Sequence, residues 1–392
     1  MMKDFLNGFG ILFRRFILSS NTVTRAPPHI RDANSVQRLW NYFVVASLPA
    51  WLIGLWSVGH QTNLAIADFA LQEVPGWRAW LLVKWGIGFD AFDTLACVAH
   101  GALYFLPIFV VALLVGAFWE SLFAALRRKR VDEGLLYIAW FYALMMPATA
   151  TMWQVAHGMA LGIVVGKLIF GGSGRYLVNP ALFGIGFLVF SYPDLMFGKG
   201  AWVPVAGYDQ PTVLELIAEE GGLKVVAAVD YSYWQLFLGD RPGAFGVVSV
   251  LGALIGAVFL VWTGMASWRV MLGALGGLVA VSLLGNHFAP DHVLLSIPWH
   301  WQAVLGGFAF GAVFIATDPV AGPWTDPGRW GYGLLVGGLT VLMRLGKVSY
   351  HEAMIFAIIL ASLFSPLIDY VVAECNIRRR RLRLQEADKN AG

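Results

Sequence analysis

Gly171-Gly-Ser-Gly-Arg-Tyr-Leu-Val-Asn-Pro-Ala181 lies between two apolar segments, yet it carries three glycines, a proline, a cation and an amide. Backbone that is not helical survives at membrane depth only where it is buried in protein or lines a polar cavity. The stretch is therefore either a loop at the cytoplasmic surface or the edge of an internal site. Its apolar flanks, Trp153–Phe170 and Pro180–Tyr192, belong to a series that runs through the chain.

Outward from the break, apolar runs of about 20 residues recur, the length needed to cross a bilayer as a helix. Only 13% of the 392 residues are charged, about half of what a soluble domain carries. The fold class is an all-α polytopic membrane protein of about ten transmembrane helices. The expected spans are Tyr42–Val58, Tyr104–Leu126, Leu135–Met146, Trp153–Phe170, Pro180–Tyr192, Phe245–Thr263, Val270–Leu284, Trp299–Ile315, Trp330–Met343 and Ala353–Val372. Division into five plus five would give two inverted five-helix repeats with short or broken helices. Trp153-Gln154 with Gly158 and Trp301-Gln302 with Gly306 are the local match that suggests it, each just beyond a proline.

Cations fix the orientation. Arg127-Arg-Lys-Arg130, Lys167, Arg175, Arg269, Arg329 and Arg378–Arg381 all fall on one side when both termini are cytoplasmic. Loop 193–242 then lies outside and is acidic, whereas Arg344 and Lys347 fall outside against the rule. The chain divides into a cytoplasmic amphipathic arm (1–40), a transmembrane domain (41–373) and a basic tail (374–392). The net charge of +3 is spread along membrane edges and does not suggest a nucleic-acid partner; membrane lipid is the expected surroundings. Cys97 and Cys375 fall on opposite sides of the membrane and are too few for an iron–sulfur or zinc site.

Several residues carry candidate chemistry. The glycines through Gly174 present clustered N–H groups, and Asn179 precedes a short helix, where it either caps or offers its amide to a heteroaromatic ring. Asp318, in Ala316-Thr-Asp-Pro-Val320, either satisfies local backbone or contributes to a cation site. Glu120 and Asp369 lie near cytoplasmic ends of spans, where they either reach water or ligate a hard cation such as sodium. His157 and His300 read as structural, since no second ligand stands at a suitable spacing.

These motifs together resemble a family. Gly171–Arg175 with Asn179-Pro-Ala-Leu182, Pro298-Trp-His-Trp301, Val304–Gly311, Ala316–Val320, Arg25–Asp32, Gly116-Ala-Phe-Trp-Glu120 and Phe364–Asp369 look like the B subunit of the sodium-translocating NADH:quinone oxidoreductase. The resemblance runs from about residue 20 to 383, while the D subunit of the Rnf complex resembles the chain less well. It implies ten spans in a bacterial inner membrane, partner subunits that oxidise NADH, and electrons passing from FMN through riboflavin to ubiquinone with sodium pumped. FMN would be joined by a flavin transferase to Thr212, where Ala206-Gly-Tyr-Asp-Gln-Pro-Thr212 departs from the family motif at Ala206, Asp209 and Pro211. Riboflavin would lie by Gly174, Arg175, Tyr176 and Asn179, with Tyr176 replacing an amide. Quinone would meet Gly116, Ala117 and Glu120, and the sodium candidates are Glu120, Asp318 and Asp369. The rivals are a divergent or Rnf-type redox subunit without covalent FMN and a non-redox channel or carrier.

Overall fold

The computed structural model describes residues 35–69, 76–128, 131, 133–220, 222–223, 226, 231–345 and 353–391. Among these the secondary structure is helical throughout. The expected N-terminal arm, up to residue 34, and Lys347 lie outside the described residues.

Among the described residues, fifteen helices follow in chain order. They are α1 Val36–Asp68, α2 Trp77–Lys84, α3 Thr94–Arg127, α4 Leu135–Met145, α5 Met152–Ile163, α6 Pro180–Ser191, α7 Pro193–Phe197, α8 Val213–Glu220, α9 Tyr233–Leu238, α10 Val250–Trp262, α11 Trp268–Phe288, α12 Trp299–Val304, α13 Phe308–Phe310, α14 Asp326–Met343 and α15 Met354–Ala391. α1, α3, α11 and α15 are long and apolar enough to cross a membrane; α4, α6 and α10 are shorter apolar helices. Start signals are local. Ser35 accepts from Arg38 N–H at 3.2 Å and Asp93 from Leu95 N–H at 2.9 Å, each satisfying a donor that the first turn leaves unpaired.

Close packing holds the bundle. α1 lies on α3 and α10, α5 on α6, and α14 on both α11 and α15. The α11–α14 contact depends on missing side chains. A Cβ at Gly337 would fall 1.8 Å from Ala274 O, and one at Gly277 would fall 2.1 Å from Leu334 O. Two backbones approach this closely only through glycine, as small-residue packing in membranes favours.

Each expected span coincides with helix, with three differences. α1 continues ten residues past Val58, because its polar end faces inward: Gln61 donates to Asp240 at 3.2 Å, and Asn63 Oδ1 meets His100 Nδ1 at 2.7 Å. The 299–315 span is three pieces, interrupted at Gly306 and Gly307, whose φ values of +61° and +66° no ordinary helix residue adopts. Arg344, expected in a surface loop, is 1% exposed. It donates to Gln302 O (2.8 Å), to Gln302 Oε1 and to Leu305 O (2.6 Å), so it supplies the donors that the broken end of α12 needs. A count of cations along the chain cannot separate such a buried guanidinium from a surface charge.

The two Trp-Gln segments share a further feature. α5 runs on into a π turn, Val164–Leu168, and α13 into another, Gly311–Ile315. The 193–242 segment folds into α7, α8 and α9 and has its own small core, in which Leu214, Ile217 and Leu236 pack with Leu294, Ile297 and Leu305. α15 continues through residue 374 as one helix, with Arg378–Arg381 exposed.

Candidate functional site

The 171–181 break and the Ala316–Val320 motif meet at one buried carboxylate. Asn179 caps α6, accepting from Ala181 N–H at 3.0 Å, with Pro180 in the first turn. Its Oδ1 being committed to that cap, its Nδ2 turns inward and donates to Asp318 Oδ2 at 2.6 Å and to Tyr137 Oη at 3.0 Å. Tyr176 donates to Asp318 at 3.1 Å and Tyr137, from α4, donates at 3.3 Å. Val320 N–H adds a bond of 2.8 Å to Oδ1, made by the turn that follows the second π turn. Asp318 and Tyr176 are each 2% exposed. A carboxylate offers about four lone-pair positions, and here N–H and O–H donors surround them. A satisfied polar network in a low-dielectric interior specifies one geometry.

A second buried centre lies where α3 ends and the break begins. Lys167, within the first π turn, donates to Glu120 Oε1 at 2.5 Å and to Glu133 O at 2.9 Å. The two side chains are 0% and 1% exposed. Ser173, from the break, donates to the same Glu133 carbonyl, and Arg127 reaches Leu168 O at 2.8 Å. The three residues expected at the quinone therefore sit inside helix packing. Gly116 faces Leu135 and Met159, Ala117 is 5% exposed, and Glu120 is held by Lys167.

The four residues expected at riboflavin fall into two pairs. Gly174 and Arg175 are exposed, and a Cβ at Gly174 would meet nothing within 4 Å. Tyr176 and Asn179 are buried, with the polar groups described above directed at Asp318. Backbone at Gly174 and the Arg175 side chain can meet a ring from the surface, while Tyr176 and Asn179 brace the break from behind.

Asp369, on α15, accepts from Trp324 N–H (2.7 Å), Thr325 N–H (3.1 Å) and Thr325 Oγ1 (2.5 Å), and so fastens the start of α14. Thr212 precedes α8 as a capping box: its Oγ1 accepts from Glu215 N–H at 3.3 Å while Glu215 Oε2 accepts from Thr212 N–H at 3.4 Å. Thr212 borders a cleft of only about 10 Å³ shared with Arg241 and Gly306. A cavity of about 650 Å³ lies nearby along the chain, lined by Arg78, Tyr104, Thr149, Thr151 and Val203–Asp209. Arg78 lies over the Tyr104 ring at 4.4 Å, and burial, with Asp68 alongside, pushes the Tyr208 phenol up, so it stays neutral near pH 7.

Among the described residues no group of three or more His, Cys, Asp and Glu could hold a metal ion. His157 stacks on Phe187 and His300 meets Tyr233 edge to face, consistent with structural roles. Cys97 and Cys375 are both free. Sequence reasoning did not single out Tyr137 or Arg344 as site residues, and it treated Lys167 only as an orientation marker. A phenol within the otherwise apolar Leu135–Met145 was the one available signal.

Comparison with known proteins bears on all these residues. The model of the NQR2, RnfD, RnfE family matches residues 23–378. The B subunit of the Na(+)-translocating NADH-quinone reductase of Pseudomonas aeruginosa (strain LESB58) is 40% identical over 371 residues, 94% of this chain and 92% of that one. The protein of the same name from Chromohalobacter salexigens is 41% identical over 366 residues, 93% and 88%. That from Neisseria meningitidis serogroup A is 40% identical over 372 residues, 93% and 91%.

Proposed function

The chain belongs to the NQR2, RnfD, RnfE family, and from that premise we propose that it is the membrane subunit of a sodium-translocating NADH:quinone reductase. The observation that carries this reading is identity of about two residues in five across more than nine-tenths of the chain. That span takes in the break, the Asp318 network and Thr212. NADH is oxidised on a partner subunit. The subunit sits in a bacterial inner membrane with ten spans in two five-helix halves, both termini and the break in the cytoplasm, and loop 193–242 outside.

FMN is held at Thr212 by a flavin transferase. The residues present fit such a group in one particular way. The cleft at Thr212 is too small for a ring, but Asp209 is three residues away, at most about 11 Å of chain, and lines the large cavity. That volume lies in the usual range for ligand pockets, about 300–1,000 Å³. Arg78, Tyr104 and Tyr208 supply a cation and aromatic faces there. Riboflavin lies against Gly174 and Arg175, with Tyr176 and Asn179 holding the break in place. When bound, the flavins supply the electron-transfer chemistry that ends on ubiquinone. This chain's residues orient them, keep the interior dry and provide carboxylates for sodium: Glu120, Asp318 and Asp369. Ubiquinone approaches through the α3 end that carries Gly116, Ala117 and Glu120.

The test is fluorescence of the denatured band on a gel. Protein from cells containing the transferase glows, and the Thr212→Ala band is dark. Acid extraction of the same Thr212→Ala protein still releases riboflavin. A dark wild-type band sinks covalent attachment, and absence of extractable riboflavin as well sinks the redox reading.

A further inference from the structure

Three carboxylates are expected to serve sodium, and their surroundings differ. Asp318 is enclosed by N–H and O–H donors from Asn179, Tyr137, Tyr176 and Val320. Asp369 likewise receives two backbone N–H groups and the Thr325 hydroxyl. A cation brought to either carboxylate would face the positive ends of those dipoles. Of the three, Glu120 is the one with a cation against it: the Lys167 ammonium, which also touches a backbone carbonyl oxygen, Glu133 O. Carboxylate and carbonyl oxygens are the donor set of a hard metal cation.

We propose that the Lys167 ammonium is a tethered stand-in for the transported sodium ion. It neutralises Glu120 and fills the position beside Glu133 O when sodium is absent, and sodium enters by displacing it. The inference rests on the reading of Glu120 as a sodium residue. Three observations support the exchange. Both side chains are buried, so neither charge can be left without a counter-charge when the other moves. Lys167 belongs to a π turn, a helix irregularity that recurs at functional sites and offers the chain another register. Ser173 joins the same carbonyl to the break, so movement of the ammonium is felt at Gly171–Arg175. No bond is made or broken; one monovalent cation replaces another, and the charge of the site is unchanged.

The experiment is a sodium titration of quinone reduction by the assembled complex, paired with equilibrium binding of radioactive sodium to the same preparation. If the displaced state is about one-tenth populated without sodium, removing the competitor tightens apparent sodium affinity about tenfold. Lys167→Met is therefore expected to lower the half-saturating sodium concentration by about that factor in both measurements. Lys167→Arg, which keeps a cation with more donors, is expected to raise it. The double variant Glu120→Gln with Lys167→Met, which removes both charges and guards against misfolding of the single variant, is expected to lose sodium binding at this position. Half-saturation unchanged in Lys167→Met and in Lys167→Arg overturns the exchange. If Glu120→Gln alone leaves sodium half-saturation as in wild type, the sodium reading of Glu120 fails instead. A structural ion pair would alter yield and thermal stability but would not move sodium half-saturation in opposite directions in the two lysine variants.

Discussion

Two interruptions of helix in this molecule are held in different ways. At Leu305–Gly307 the break is tight, and the Arg344 side chain spans it, donating to Gln302 O and Leu305 O. At 171–179 the break is long, one side of it is exposed, and it is fastened at two points: Ser173 to Glu133 O, and Tyr176 with Asn179 to Asp318. The first resembles a hinge pinned by one bolt. The second is a flap with a free face and an anchored back. A membrane interior tolerates both because freed backbone groups find partners within the protein. Only the second leaves Gly174 and Arg175 available to something outside the chain.

Removing the pin should have the largest effect. Arg344→Met leaves buried carbonyls without donors, and with charge-assisted hydrogen bonds worth about 1.5–3 kcal/mol each, a loss of about 3 kcal/mol or more is expected. Thermal unfolding in detergent measures it, and Arg344→Lys should recover part only. A melting temperature equal to wild type in Arg344→Met would mean that the hinge is held otherwise. Next comes Asp318→Asn, which turns a shared acceptor into a group that is half donor, facing Asn179 Nδ2. The expected cost is about 2 kcal/mol, and protease should then cut within 171–179 sooner than elsewhere. The smallest effects compare the glycines. Gly307→Ala at φ +66° forces a left-handed residue at a cost of about 1–2 kcal/mol. Gly174→Ala at φ +79° should cost about 1 kcal/mol or less, because an exposed segment relaxes the strain. If Gly174→Ala proves the more damaging, the flap is stiffer than its open face implies.

Much of this architecture was legible along the chain. Apolar runs located the helices, and Asn179-Pro180 announced the start of α6 as a cap followed by proline. What pattern could not reach was the partner. Asp318 lies 139 residues from Asn179 and 142 from Tyr176, so each was read by itself, one toward a cation and the others toward a ring. The same limit applied to charge. Lys167 and Arg344 counted as markers of sidedness, because a rule about loops has no access to burial. The interruption at Gly306-Gly307 was missed because two glycines inside an apolar run are also what close helix packing requires.

The π turns have a consequence for how these helices tolerate change in length. Each holds one residue more than an α-helical turn would, and each lies within or three residues before a buried polar centre: Lys167 within the first, Asp318 after the second. Deleting one residue from Gly311–Ile315 would let the helix close into regular α form without a loss of continuity. Everything beyond would then be rotated by about 100° and drawn back about 1.5 Å. The helix would survive and Asp318 would point away from Asn179. An alignment gap of a single residue at either turn would thus mark a relative that keeps the bundle and has given up the site.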